Sequence, residues 1–430
     1  QLTWIILIGG LSLFTLGLYR YGGPTGLWRR AQVEIAALRP HPIHVPTPLS
    51  VGGPLQAGLV APPARSLLVS HASTVILPTV TPTPAPADPA TGQSTVLLPT
   101  PTPTPAYAPA APFAELTGLQ HFWQTWNNCG PATLAMQLSY FGGTWDQATI
   151  GAALRTHEDD KNVMPEELVA YARAQGYEAG LYVNGDADRL RLLLSNGIPV
   201  LVETWLEDEP GNGMGHYRLL VGYDDARREW IAYDSYDQHS LRNPDPNGVY
   251  QGISMPYDEF AALWKVFNHT YILVYPPEQR LKVEAILGPD ADPSQMWQRA
   301  FGSAQQAAAE NPTDAFAWFN MGSDLVAMGR YEDAAAAFDE ARRLGLPWRM
   351  LWYQFGPFEA YHESGRYQEV VALAEATIAT TGSIEELFYW HGMGLNALGD
   401  PSGAREAWQQ ALELNPGYAP ALESITAMAQ

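Results

Sequence analysis

Apolar positions change their spacing along the chain, and each change marks a different kind of segment. Residues 2–19 form an 18-residue run without a charge, about the minimum that spans a hydrocarbon core as a helix. A transmembrane helix or signal anchor is therefore expected over 1–20. No small-residue cleavage pattern follows it and polar sequence comes next, which disfavours a cleaved signal peptide and a buried core helix. Residues 21–112 show little sustained apolar periodicity, and 77–112 is a Pro-Thr-Ala tract. A disordered linker is expected there. In polyproline II geometry those 36 residues reach on the order of 100 Å.

Between 113 and 280 the pattern becomes that of a folded body. Helical spacing predicts helices at 130–141, 165–174 and 187–194. β-Branched and aromatic runs bounded by Gly, Asp and Asn predict strands at 199–205, 216–223, 230–236 and 270–275. Helices followed by an antiparallel sheet make an α+β domain. From 291 to 430 the sequence is nearly all helical and repeats: Gly329-Arg330-Tyr331, Gly365-Arg366-Tyr367 and Gly399-Asp400-Pro401 lie 36 and 34 residues apart. With Trp318, Gly322, Ala334 and Phe338 in one copy and Gly392, Ala404 and Trp408 in another, this all-α solenoid resembles the tetratricopeptide repeats. The middle copy is degenerate. Stacked helix pairs leave a concave groove, the expected seat of a protein partner.

A formal net charge of -21 argues against nucleic acid as a partner, since phosphate binding rests on Lys and Arg. Arg20, Arg29, Arg30 and Arg39 follow the apolar run and alone would place the bulk of the protein inside. Stalks rich in Pro and Thr are commoner outside the cytoplasm. The expected location is membrane-anchored and extracytoplasmic. A single cysteine excludes an internal disulfide and a multi-cysteine zinc site. No metal or organic cofactor is expected.

That cysteine, Cys129, stands in Gln124-Thr125-Trp126-Asn127-Asn128-Cys129-Gly130-Pro131-Ala132, just ahead of a predicted helix. Free N–H groups and the helix dipole favour a thiolate there, and Pro131 early in the helix costs no hydrogen bond. A thiolate nucleophile needs an imidazole beside it and an acceptor to orient that imidazole. His216 opens one predicted strand and Asp234 ends the next, so a hairpin turning at 224–228 would bring them together. Asp224, Asp225 and Asp237 compete for the third position. Two further features are an Asn268-His269-Thr270 glycosylation triplet and an acidic run, Glu207-Asp208-Glu209, near the mouth of such a site.

With these elements in this order, residues 113–280 resemble the bacteriocin-processing, double-glycine leader peptidases and their papain-like relatives. The resemblance implies Cys129 as nucleophile, His216 as general base and then acid, Asp234 as orienting carboxylate and Gln124 as oxyanion donor. Gln124 lies five residues before the cysteine, where that family often has six, and Gln120 is the alternative. The function expected is a membrane-tethered cysteine peptidase acting on peptide or protein substrates, with cleavage after small residues. The alternative is a catalytically silent peptidase-like fold serving as a scaffold through the repeats. Acyl transfer to an amine would use the same triad.

Overall fold

The computed structural model describes residues 42–49 and 107–428, apart from 158, 208, 209, 239, 244, 246 and 247. The expected membrane segment and most of the expected linker lie outside the described residues. Among the described residues, no helix is long and apolar enough to cross a membrane.

The first body runs β1 (Phe113–Glu115), α1 (Cys129–Tyr140), α2 (Gln147–Leu154), α3 (Pro165–Ala174), β2 (Glu178–Tyr182) and α4 (Ala187–Ser195). It continues with β3 (Val200–Leu206), β4 (Met214–Asp224), β5 (Glu229–Asp234), β6 (Ile253–Pro256), α5 (Tyr257–Lys265), β7 (Tyr271–Tyr275) and α6 (Arg280–Leu287). The strands form one sheet in the order β2-β7-β3-β4-β5-β6, with β1 on β4. Every pairing is antiparallel. Leu134, Leu138 and Leu168 from α1 and α3 cover one set of strand side chains. Leu190, Phe260 and Val283 from α4, α5 and α6 cover another. All of β3 and β7 is buried, which is why these strands read as apolar runs and not as alternation.

The expected α+β arrangement holds, with one difference of order. β2 lies among the early helices and pairs with β7, almost a hundred residues later. Its sequence, Glu-Ala-Gly-Leu-Tyr, has no local strand signal, and the ladder to β7 overrides that weakness.

Helices α7 (Pro293–Glu310), α8 (Ala315–Ala327), α9 (Tyr331–Leu344), α10 (Gly356–Glu363), α11 (Tyr367–Ile378), α12 (Glu385–Ala397), α13 (Pro401–Leu414) and α14 (Ala419–Met428) form the repeats. The equivalence of two copies is physical. A Cβ on Gly322 would sit 2.7 Å from the Phe338 ring, and one on Gly392 would sit 2.4 Å from Trp408 Nε1. In each pair a glycine on the first helix admits an aromatic ring from the second. The degenerate copy differs at its first helix, α10, which is short and is preceded by an irregular stretch over 345–355. That stretch belongs to the same hydrophobic core as Trp205, Val266 and Phe267 of the peptidase-like body, so the repeats are fused to it through apolar contact.

The segment 42–49 departs from the expected linker. Val45 is 3% exposed, its N–H donates to the Leu346 carbonyl at 3.0 Å, and His44 bridges to Pro347. Arg342 Nε donates to the Pro46 carbonyl at 2.8 Å and the Leu49 N–H to Glu369 Oε2 at 2.9 Å. Residues 108–111 are fixed too, on Asn196 and Ser195 of α4 and its cap. Residues 42–49 are thus held on the repeats and residues 108–111 on the peptidase-like body. The Val45 amide is expected to exchange with solvent at least about tenfold more slowly than in a free peptide of the same sequence. Exchange at the free-peptide rate would contradict this docking.

The Asn268 triplet is not an open glycosylation acceptor. Asn268 is buried, has φ 52°, and donates through Nδ2 to Asp324 Oδ1 at 2.7 Å.

Candidate active site

Helix α1 begins at Cys129 itself. The preceding Asn127 takes a left-handed conformation (φ 51°) that turns the chain sharply into the helix. Asn128, at the cap position, makes no side-chain capping bond. Its amide instead donates to the Gln147 carbonyl and Oε1 at 3.1 and 2.9 Å. The first N–H groups of α1 are thus left to the thiol. Cys129 keeps partial exposure.

His216 and Asp234 come together through the β4–β5 hairpin. The ladder sets Arg218 opposite Asp234, with a bulge between Leu220 and Gly222. His216 Nε2 and Asp234 Oδ1 are 3.0 Å apart. That contact leaves Nδ1 as the ring nitrogen available to the Cys129 thiol, and each of the two groups shifts the other's protonation. His216 is 3% and Asp234 0% exposed. The carboxylate is saturated: Oδ1 also accepts the N–H groups of Tyr236 and Asp237 at 2.7 and 2.8 Å, and Oδ2 accepts from Arg218 Nε at 2.8 Å.

Two of the competing aspartates are used elsewhere and the third lends its backbone to Asp234. Asp224 caps its own turn, Asp225 binds Arg191 and Tyr257, and the Asp237 N–H donates to Asp234.

Burial disfavours charge on all three groups, and their proximity reverses it for each. Burial would push the Cys129 thiol up, but the His216 hydrogen bond and charge, with backbone bonds at Tyr217 and Gly130, leave it below its usual value. Burial would push His216 down, yet Asp234 and Cys129 hold it at about 9. Asp234, despite its burial, is held far below the carboxylate range by His216 and Arg218. Both shifts, the thiol down and the imidazole up, run in the direction that favours a thiolate–imidazolium pair.

Gln124 lies beside this line. Its N–H donates to the Ser235 carbonyl, and its Oε1 accepts from Ser235 Oγ, each at 2.8 Å. With the oxygen so held, the amide NH2 is oriented as a free donor. The Gln120 backbone is tied to Ser139 Oγ at 2.9 Å. Ser139 lies ten residues along α1 from Cys129, roughly 15 Å away at 1.5 Å per residue.

Residues 117–270 match the Peptidase_C39 like family. The matched span contains Cys129, His216, Asp234 and Gln124. Among solved structures, the chain is similar to a double glycine motif protease from an AMS/PCAT transporter in complex with the leader peptide, at 18% identity over 38% of this chain and 94% of that one, with TM-score 0.27. It is similar to xylellain, a cysteine protease from Xylella fastidiosa, at 16% identity over 41% and 90%, with TM-score 0.30. It is also similar to YrrB, a TPR protein with an unusual peptide-binding site, at 17% identity over 34% and 89%, with TM-score 0.19. No curated protein matches the chain.

The C39-like segment holds its site with residues that carry no motif. Tyr250 OH bonds both the N–H and the carbonyl of Asp234 at 3.1 Å, and His121 Nε2 lies 2.7 Å from that carbonyl. The His121 and Tyr250 rings stack with centroids 3.5 Å apart. Tyr353, from the repeats, seats its ring on Gly215, where a Cβ would lie 3.0 Å away. Arg349 Nη1 donates to the Asn212 and Gly213 carbonyls at 3.0 and 3.2 Å. The irregular stretch of the degenerate repeat thus walls the strand that carries His216. Periodicity gives no signal for such contacts, most of which join residues more than a hundred positions apart.

Of the expected acidic run, Asp208 and Glu209 lie outside the described residues. Glu207 is occupied within its own loop, accepting from Trp205 Nε1 and the Gly211 N–H.

Proposed function

We propose that this chain is a cysteine peptidase that hydrolyses peptide bonds through Cys129, His216 and Asp234. The observation that carries the reading is the continuous line from a partly exposed thiol at a helix N-terminus, through His216, to a fully buried and saturated carboxylate. Thiolate sulfur attacks the peptide carbonyl to form a tetrahedral oxyanion, which the Gln124 amide and the Cys129 N–H stabilise. His216, already protonated, donates to the departing amine, leaving an acyl-enzyme. Neutral His216 then takes a proton from water as it attacks, and the thiolate is released. Asp234 holds the ring by Nε2 throughout, so that Nδ1 handles the proton.

The membrane anchor at 1–20, the extracytoplasmic location and the absence of nucleic-acid partners belong to the same proposal, supported by the apolar run, the Pro-Thr composition and the net charge of -21. The repeats serve partly as the wall of the site and partly as a protein-binding surface. A silent scaffold is the lesser reading, because such a fold gains nothing from a depressed thiol paired to an oriented imidazole.

Screening the full chain against a peptide library tests the reading. The parent is expected to cleave, and Gln124→Ala is expected to lose on the order of 10²–10³ in kcat while iodoacetamide still labels Cys129. Labelling without cleavage of any peptide would leave the scaffold reading in place of this one.

A further inference from the structure

We propose that Arg349 and Tyr353, supplied by the repeats, are positioning residues for His216: they fix the start of β4, which the sheet supports from one side only. This rests on the peptidase reading and says what keeps its base in place.

His216 is the third residue of β4, directly after Gly211-Asn212-Gly213-Met214-Gly215. β3 pairs with β4 from Met214 to Leu220, whereas β5 pairs with it only from Arg218 onward. In the ladders, residues 214–217 therefore have a strand on one side alone. The glycines around this start also carry the largest backbone entropy to be lost on ordering. A strand end of this kind frays unless something outside the sheet holds it.

The repeats supply the hold. Arg349 Nη1 donates to the carbonyls of two successive residues, Asn212 and Gly213, at 3.0 and 3.2 Å. Carbons of the Tyr353 ring lie 3.0 and 3.1 Å from where a Cβ on Gly215 would stand. On Gly213 that place is taken by the ring of Trp205, from β3. Rings continue from Trp205 to Phe267 and from Phe267 to Tyr353, with centroids 6.2 Å apart at each step. The holding residues are fixed in turn. The Arg349 guanidinium carbon lies 4.3 Å from the Trp348 ring centroid and 5.2 Å from that of Trp352, a cation–π arrangement that limits its freedom. At the head of the same stretch, the Leu346 carbonyl accepts the Val45 N–H at 3.0 Å.

Two bonds on the loop and a ring on the residue before His216 set the backbone from which the imidazole projects. Cys129 comes from α1 and Asp234 from β5, so a shift of the β4 start changes the distance from the imidazole to both. A displacement of about 1 Å costs on the order of a hundredfold in rate. Arg349 and Tyr353 take no part in proton transfer and act through the backbone of 212–215.

The test reads iodoacetamide labelling of Cys129 at pH 6 and pH 8 in the full chain. It compares the parent with Arg349→Met, which keeps the stem without the donors, and with Arg349→Lys, which keeps a donor. The pH 6 rate relative to the pH 8 rate is expected to be near one in the parent, at least about threefold lower in Arg349→Met, and within about twofold of the parent in Arg349→Lys. A role confined to stability would lower the melting temperature of the variants without moving this ratio. A folded Arg349→Met with the parent's ratio, in a parent that labels rapidly at pH 6, would overturn the positioning role and leave the peptidase reading intact. A loss that Arg349→Lys shares in full would overturn the assignment to the two hydrogen bonds. Should Arg349→Met not fold, Tyr353→Leu takes its place with the same expected fall, and a parental ratio there would overturn the proposal equally. A parent thiol inert to iodoacetamide at pH 6 would overturn the peptidase reading and the positioning role with it.

Discussion

Asp234→Ala is expected to lower stability by about 3–5 kcal/mol as well as to abolish hydrolysis, because it leaves Arg218 buried without its carboxylate partner. Arg218 is 2% exposed, and its Nε donates to Asp234 Oδ2 at 2.8 Å. The pH dependence of the parent follows from the same contacts. The folded value of Asp234 is depressed, so its contribution is present above the unfolded carboxylate value of about 3.9 and is lost as pH falls toward the depressed one. The folded value of His216 is raised to about 9, so its contribution is full below the unfolded value of about 6.5 and is lost as pH rises through the folded one. The parent should therefore draw most from this pair between about pH 4 and 6.5. Urea unfolding across pH checks both. An alanine variant that melts within about 2 °C of the parent would contradict the structural role of Asp234.

Cys129→Ala is expected to remove essentially all hydrolysis, on the order of 10⁶ in kcat by analogy with loss of other catalytic nucleophiles, while leaving the fold in place. The side chain is small and partly exposed, and the core of α1 lies further along, at Leu134, Ala135 and Leu138. The second readout is His216: Cys129 helps to hold its pKa up, so the variant imidazole should titrate lower. A variant retaining about a hundredth or more of parental kcat would move the nucleophile elsewhere.

The parts of this account that were legible in the sequence are those whose cause is local. Asn-Cys-Gly-Pro puts a thiol at a helix start because Pro131 fits the first turn and Asn127 tolerates the left-handed turn before it. His216 and Asp234 are read together because two strands joined by a short turn must pair antiparallel, and the observed register brings them into contact. Gly322 and Gly392 were legible as repeat positions because a helix pair can admit its partner's aromatic ring only at such a residue.

What was not legible depends on distant partners. Pro42, Pro46 and Pro48 make 42–49 read as linker, and partners some three hundred residues away, Leu346, Pro347, Arg342 and Glu369, make it a docked segment. Tyr353 and Arg349 lie in a copy whose repeat pattern has decayed, at the place where that copy meets the β4 strand.

The most direct test of the central claim is the pH dependence of Cys129 alkylation by iodoacetamide, in the full chain and in His216→Ala. There is no other thiol in the sequence to confuse the signal. An ion-paired thiolate predicts a rate that is nearly flat from about pH 6 to 8 in the parent, and a variant whose rate falls about tenfold or more at pH 6 and rises with a midpoint near the free-thiol value of about 8.5. A parent profile that itself rises only near that value, and that the His216 substitution leaves unchanged, would contradict the claim that this site is built to make a nucleophile.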